Sequence, residues 1–232
     1  MSAAEGPESF ALEAPRLGVT VRLETPAAVR QLLAATLAGW RIEIGDAEPE
    51  IRVSHETRYR LDSEAYTPPR TYSDPVDLLN ELLIAIAFTL VQHRPDLTLL
   101  HAAAFEDESG SHVVFGERKA GKSVLIAGRA ADGATIFTDD MLLWSPHELK
   151  FAGLGMSPRL RRPVPPGIID RLGRRSFIAG RNTCYAAARA LRLAPAGRFF
   201  SPDRVVDLEP GGRQRLVRFY NVRKRIAQHR IL

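Results

Sequence analysis

The chain has 232 residues, 45% of them hydrophobic and 25% charged, with a formal net charge of +5 at pH 7, values typical of a globular protein that buries a sizeable core. Its longest apolar run, residues 82–91, has about half the length that a membrane-spanning helix needs. The first residues lack a secretory signal pattern, and the single cysteine excludes an internal disulfide. We therefore expect a cytoplasmic protein without a membrane partner.

Short elements are predicted from the start of the chain as far as Arg70. A loose tail over residues 1–15 precedes a strand over 18–24, in which apolar and polar residues alternate. Thr25 and Pro26 are typical of a helix start, with Thr25 as N-cap, and Gly39 is typical of its end. The remainder is predicted as strands over 41–44, 50–55 and 57–61 and a proline-containing loop over 64–70.

A long core helix is predicted next. It begins at Ser73-Asp74-Pro75 and ends near Pro95, and its leucines and isoleucines recur at helical spacing. We place a domain boundary at residue 95. Beyond it, residues 97–105 are predicted to form a strand, and a turn at 108–111 leads to a second strand over 112–115.

The segment directly after that strand matches the phosphate-binding pattern G-x-x-x-x-G-K-[ST]. Its residues are Gly116, Glu117, Arg118, Lys119, Ala120, Gly121, Lys122 and Ser123. In this pattern backbone N–H groups surround the β-phosphate of a nucleotide, the lysine reaches the β- and γ-phosphates, and the serine ligates Mg²⁺. The alternative interpretation is a glycine-rich turn with an incidental lysine. A predicted helix over 123–127 completes the strand, loop and helix that the nucleotide site requires.

Two carboxylates interrupt the next strand, predicted over residues 135–144. Asp139 and Asp140 stand at the centre of that strand, which follows the helix predicted after Lys122. Buried carboxylates need a neutralising partner, which the Mg²⁺ of a nucleotide supplies. Because side chains alternate along a strand, only one of the two would face the phosphates unless the strand ends there. The alternative is a strand end whose acids lie in solvent.

A histidine is predicted on the strand paired with the one that enters the loop. His101 precedes Gly116 in the chain and stands in an otherwise apolar stretch. Taken alone, a histidine in that setting is more often a core residue than a catalytic one. Beyond residue 145 proline and glycine recur, and a last hairpin is predicted from strands over 204–208 and 215–222.

Three segments together resemble one family of kinases. Leu100 to Ala104, the loop over 116–123 and Thr138 to Asp140 resemble the catalytic domain of HPr kinase/phosphorylase and its shorter kinase relatives, including enzymes of lasso-peptide tailoring pathways. The resemblance is clear over residues 97–145. It implies an α/β fold over 96–232 with a P-loop kinase core of the HPr kinase/PEP carboxykinase-like type, a mixed sheet with flanking helices. Residues 1–95 are then a small α+β N-terminal subdomain.

The resemblance also implies roles for individual residues. Residues 116–123 would bind ATP, with GTP as the alternative nucleotide, and Lys122 would hold its β- and γ-phosphates. Ser123 and Asp140 would bind Mg²⁺. Asp139 would act as base towards a serine hydroxyl, and His101 would orient that carboxylate or contact the transferring phosphate. Glu117-Arg118-Lys119 departs from the family, which commonly has glycine where Lys119 stands, and a positive φ at Lys119 would cost about 1 kcal/mol.

These observations favour an ATP/Mg²⁺-dependent kinase, a phosphotransferase acting on a hydroxyl, that of serine, in a peptide, small protein or metabolite. The alternative is a nucleotide-binding sensor or scaffold without efficient phosphotransfer. Whether the chain forms a homo-oligomer is left open.

A third hypothesis is nucleic-acid binding, because residues 151–232 carry 18 Lys and Arg against 4 Asp and Glu, whereas residues 1–150 carry 14 against 23. No RNA- or DNA-binding motif accompanies this charge. The same arginines suit nucleotide phosphates or an acidic partner, or form a solvated surface that reflects biased composition. The candidates for phosphate contact are Arg159, Arg161, Arg162 and Arg181.

Overall fold

The computed structural model describes residues 6–211, 213–217 and 222–231. Within these ranges the protein is a mixed α/β structure that is mostly sheet, with four β-sheets and five α-helices. The helices are α1 (Ala27–Thr36), α2 (Pro75–His93), α3 (Lys122–Ala131), α4 (Pro166–Leu172) and α5 (Val222–Gln228). The predicted α/β class is confirmed at this general level.

The N-terminal part of the chain contains a six-stranded sheet, called sheet I. Its strands are β1 (Glu8–Ala14), β2 (Val19–Thr25), β3 (Arg41–Ile44), β4 (Ile51–His55), β5 (Tyr59–Ser63) and β6 (Tyr66–Tyr72). They lie in the order β3-β1-β2-β4-β5-β6. Buried and exposed residues alternate along β2, as the sequence predicts, and helix α2 packs against β2, β5 and β6.

Three predictions for this region are wrong. Residues 8–14 form a strand rather than a loose tail, because the alternating burial of Phe10, Leu12 and Ala14 fills the core beside β2; residues 1–5 of that tail lie outside the described residues. Residues 66–70 belong to β6 rather than to a loop, since an edge strand tolerates prolines without N–H donors. Helix α1 is capped by Pro26, not Thr25, and ends at Thr36, before Gly39.

Helix α2 forms as predicted. The Asp74 carboxylate caps it by accepting the backbone N–H groups of Val76 and Asp77 at 2.8 and 3.2 Å. Among the described residues, α2 is the one helix long and apolar enough to cross a membrane by length and composition, but 61% of that stretch is buried inside the protein.

The rest of the chain builds three sheets. The strands are β7 (Thr98–His101), β8 (Ala103–Asp107), β9 (Gly110–Phe115), β10 (Thr135–Thr138), β11 (Met141–Ser145), β12 (Lys150–Gly153), β13 (Arg159–Arg161), β14 (Phe177–Ala179), β15 (Thr183–Ala186), β16 (Arg192–Leu193), β17 (Phe199–Phe200), β18 (Arg204–Leu208) and β19 (Gln214–Leu216). Sheet II has the order β16-β10-β8-β9-β18-β19, sheet III β17-β12-β11-β7 and sheet IV β13-β15-β14. In the last hairpin, β18 lies where it was predicted. The second strand was predicted over residues 215–222, but β19 ends at Leu216 and Val222 begins α5. Residues 218–221 lie outside the described residues.

The main core crosses the predicted boundary at residue 95. It contains buried side chains of sheet I and α2 together with Leu99, Leu143 and Tyr185 from sheets III and IV. Helix α2 therefore supports sheet IV as well as sheet I, and this brings the N-terminal region close to the site described next.

Candidate functional site

The strand, loop and helix predicted around the glycine-rich motif are present. Strand β9 ends at Phe115, and α3 begins at Lys122, which places Ser123 in its first turn. Gly121 precedes the helix with a φ of 101°, and a Cβ on Gly116 would lie 2.7 Å from the Leu208 carbonyl oxygen. Both positions therefore require glycine, one for its backbone conformation and the other for its close approach to β18.

Lys119 adopts the left-handed conformation that usually favours glycine. Its φ is 71°, one of two positive values at non-glycine residues in the part of the chain that the structure describes. A side chain there costs about 1 kcal/mol relative to glycine. The loop therefore carries backbone strain between Gly116 and Gly121.

The Lys122 ammonium is folded back onto the loop. Its Nζ atom donates to the carbonyl oxygens of Gly116 at 2.7 Å and Glu117 at 3.4 Å, and the residue is 6% exposed. Burial lowers the pKa of Lys122 below its usual value, while the nearby carboxylates, Asp140 first, act in the opposite direction. A phosphate group would replace these contacts to neutral carbonyl oxygens by hydrogen bonds in which both partners are charged.

The two strands predicted over 97–105 and 135–144 are each broken in two. The first breaks at Ala102 into β7 and β8, and the second breaks at Asp139-Asp140 into β10 and β11. In each case the chain passes between sheets II and III, and the breaks meet where the Ala102 N–H donates to the Asp140 carbonyl oxygen at 3.1 Å. The prediction of two continuous strands is therefore wrong, because a chain that changes sheets cannot keep one ladder of hydrogen bonds.

The break also changes the setting of His101. The residue ends β7, which pairs with β11 in sheet III, so its predicted place on the partner of β9 is wrong; β8 fills that place. His101 nevertheless comes close to the acids, because it lies opposite Met141 in the ladder. Its Nε2 atom lies 2.7 Å from Oδ1 of Asp140.

The two aspartates have different surroundings. Asp139 is 6% exposed and its Oδ2 accepts the Arg159 backbone N–H at 3.0 Å. Burial, with the neighbouring Asp140, raises the pKa of Asp139 to about 7, although the Arg159 N–H and the Ser123 hydroxyl favour its ionised form. Burial also acts to raise the pKa of Asp140, but contact with His101 and the charge of Lys122 outweigh it, so this pKa lies below its usual value.

A cavity of about 340 Å³ lies over the loop and collects most of these groups. Of the predicted site residues, it is lined by His101, Arg118, Lys119, Gly121, Lys122, Ser123 and Asp140. Asp139 does not line it. Gly116, Glu117 and Ala120 belong to the loop backbone without lining the cavity.

Two of the four candidate arginines line the cavity. Arg159 and Arg161, both on β13, line it. Arg162 instead donates to the Gly180 carbonyl oxygen at 2.7 Å, and Arg181 lies in the exposed segment beside Asp74. Sequence reasoning missed the apolar lining residues Val124, which follows Ser123 on α3, and Leu160, Pro163 and Pro165, which come from β13 and the segment after it; no motif marks a wall that a distant segment provides.

A larger cavity, of about 830 Å³, lies at the far end of α3, beside Asp107 and Asp132. Its charged side chains mostly pair with one another: Glu106 lies 2.7 Å from Arg198, and Asp107 lies 3.8 Å from Arg129. It contains none of the predicted site residues. The smaller cavity, with its unbalanced positive charge and strained loop, is the better candidate site.

The oxygen ligands in this cavity and directly beside it suit Mg²⁺. The Ser123 hydroxyl and the carboxylates of Asp139 and Asp140 are hard oxygen ligands, and Mg²⁺ is usually held by one or two carboxylates together with substrate phosphates. Among the described residues, no group of three or more His, Cys, Asp or Glu side chains has an arrangement that would hold a metal ion by itself.

No protein-family model matches the chain, and no curated protein is significantly similar to it.

Proposed function

We propose that the protein is an ATP/Mg²⁺-dependent kinase, with a P-loop kinase core of the HPr kinase/PEP carboxykinase-like type, that transfers the γ-phosphate to a hydroxyl group. One observation carries the proposal: a phosphate-binding loop and a histidine–aspartate pair line the same cationic cavity. The acceptor would be a serine of a peptide or small protein, or a metabolite hydroxyl. A cytoplasmic location stays a prediction.

The cations of the cavity would bind and neutralise the triphosphate. Lys122 would leave the Gly116 carbonyl oxygen for the β- and γ-phosphates, and backbone N–H groups at the start of α3 would hold the β-phosphate. Arg159 and Arg161 would approach from β13, opposite the loop. Catalysis of phosphoryl transfer rests mainly on this positioning and charge neutralisation.

The geometry favours Asp140 over Asp139 as the base, the reverse of the assignment that the sequence suggests. Asp140 lines the cavity, is held by His101 and has a lowered pKa, so it is ionised at neutral pH and open to an acceptor. It would take the hydroxyl proton while the acceptor oxygen bonds to the γ-phosphorus and the bond to the β-phosphate oxygen breaks. Asp139, whose pKa burial raises to about 7 although the Ser123 hydroxyl favours its ionised form, would lie on the metal side.

Mg²⁺, when bound with the nucleotide, would supply charge neutralisation between the β- and γ-phosphates. Ser123 and Asp139 would hold it from the protein side, which leaves Asp140 free to act as the base, whereas the sequence assigns Asp140 to the metal.

The test is transfer of label from γ-labelled ATP, in the presence of Mg²⁺, to peptides and proteins encoded beside the gene. We expect Lys122→Ala and Asp140→Asn each to lower the transfer rate by about 100-fold or more. Lys150→Ala, which removes a half-exposed lysine on β12, and Asp62→Asn on β5 are the matched controls and are expected to leave the rate unchanged. Equal loss in a control variant would contradict the assignment.

The sensor or scaffold alternative is favoured by one observation, the strained Lys119 in the loop. It predicts ATP binding that Lys122→Ala weakens, but no transfer to any acceptor in the wild type. Binding without transfer would therefore replace the kinase proposal. Salt-sensitive RNA binding that Lys122→Ala leaves unchanged would instead support the nucleic-acid hypothesis.

A further inference from the structure

A second, much smaller cavity borders Asp139. Its volume is about 20 Å³, and its wall includes Asn80 of α2, Asp139, Ser157 and Tyr185 of β15. One water molecule needs about 10–15 Å³ of such space and two to four polar partners. The cavity therefore has room for a single water and for nothing as large as a side chain or a nucleotide.

Two hydroxyl groups in this wall have no hydrogen-bond partner among the residues that the structure describes. They are the Tyr185 phenol and the Ser157 hydroxyl, and both residues are 1% exposed. Buried hydroxyls in folded proteins nearly always bond to a protein group or an ordered water. Burial raises the pKa of Tyr185, so the phenol keeps its proton and is available as a donor.

Asp139 supplies the complementary acceptor. Its Oδ2 accepts one bond, from the Arg159 N–H at 3.0 Å, and a carboxylate has room for several. A water molecule between the hydroxyls and this carboxylate satisfies all three groups, because water accepts two hydrogen bonds and donates two.

We propose that one ordered water occupies the cavity, accepts hydrogen bonds from Tyr185 and Ser157, and donates to Asp139. Tyr185 and Ser157 are then positioning residues that fix the Asp139 carboxylate beside Ser123 and the Arg159 N–H. Their effect on catalysis rests on the proposed kinase function; the water site itself does not. Asn80 of α2 also borders this cavity, so the N-terminal region forms part of its wall.

Crystal structures of the full chain test the site directly, at a resolution that shows ordered water. In the wild type we expect a density peak within about 3.2 Å of both the Tyr185 and the Ser157 oxygen. In Tyr185→Phe, which preserves volume, and in Ser157→Ala, we expect the peak to be lost or displaced and the Asp139 carboxylate to turn away from the Arg159 N–H. Tyr59→Phe makes the same chemical change on β5 and is the control.

The catalytic consequence is a split between two kinetic constants. We expect Tyr185→Phe to lower kcat for phosphate transfer by about 10–100-fold, as loss of an outer hydrogen bond does at metal sites, and to change KM for ATP by less than about twofold. A wild-type cavity without water, or an Asp139 unmoved in both variants, would overturn the proposal. A wild type that binds ATP without transfer overturns the kinase assignment alone, and the position of Asp139 in the variants then decides the positioning role.

Discussion

The N-terminal region, residues 6–95, and the region around the phosphate-binding loop bury different kinds of side chain. Among the described residues of the first, the buried polar side chains are threonines, namely Thr25, Thr36 and Thr89. The second buries Lys122, Asp139 and Asp207 as well. Buried charge destabilises a fold unless it is compensated. Sheet I is therefore stabilised by apolar packing, whereas the loop region retains charges and backbone strain that point to function.

The largest test of this contrast is Asp139→Asn. The folded-state pKa of about 7, against 3.8 for the free carboxyl, means that raising the pH ionises the unfolded chain first. Asp139 thus destabilises the fold as the pH rises from about 4 to 7. We expect the free energy of unfolding of the variant, measured by urea denaturation, to exceed that of the wild type by about 4 kcal/mol at pH 8. Below pH 4 the two free energies should be equal. The same difference in free energy of unfolding between the variant and the wild type at both pH values would contradict this prediction.

Truncation of a core side chain tests whether sheet I depends on apolar packing. Leu23→Ala on β2 removes a fully buried side chain from sheet I, and we expect the free energy of unfolding to fall by about 3 kcal/mol. Leu216→Ala on β19, where the residue is 65% exposed, is the matched control and should change it by less than about 0.5 kcal/mol. A loss in the first variant no greater than in the second would show that sheet I does not depend on apolar burial.

The joint between the regions is tested by Asp77→Ala. The Asp77 carboxylate of α2 accepts hydrogen bonds from the backbone and side chains of Asn182 and Thr183, at 2.6 to 3.2 Å, and so holds sheet IV, which carries Arg159. We expect the free energy of unfolding, measured by thermal denaturation, to fall by about 2 kcal/mol.

The pH dependence of that loss has a definite sign. Burial acts to raise the pKa of Asp77, but the bonds from Thr183 and Asn182 outweigh it and lower the pKa. A lowered folded-state pKa stabilises the protein above about pH 4, and this contribution disappears as the pH falls through the lowered value. The difference between wild type and Asp77→Ala should therefore shrink below pH 4. A difference independent of pH would mean that the ionised carboxylate does not hold sheet IV.

The smallest effect is expected for Lys119→Gly. Glycine relieves the strain of a φ of 71° but makes the unfolded chain more flexible, so we expect a net gain of about 0.5 kcal/mol in stability. The control is Lys150→Gly on β12. Because Lys150 lies in an ordinary strand, this substitution should lower the stability by about the same amount. If Lys119→Gly also destabilises, the loop is not strained at this position.

Local chemistry allowed the strand, loop and helix of the candidate site to be predicted. The phosphate-binding motif required a strand, a loop and a helix, and the chain forms them, since glycine at 116 and 121 permits a backbone that few other residues adopt. The sequence assigned His101 to the carboxylate of Asp139, whereas the structure brings His101 to Asp140. Both lie where the chain leaves one sheet for another, and apolar strand patterns do not show such breaks because both halves are equally buried.

The sequence by itself determined the loop, the long helix α2 and the excess of arginine in the second half of the chain, because each depends on residues adjacent in the chain or on composition alone. The tertiary structure decided which carboxylate faces the cavity, which arginines approach it and where two hydroxyls are left unpartnered. These depend on how sheets II, III and IV meet, over separations such as the one between Asp139 and Tyr185. Burial and hydrogen bonding at that meeting point set the chemical difference between Asp139 and Asp140, two identical neighbours in the chain.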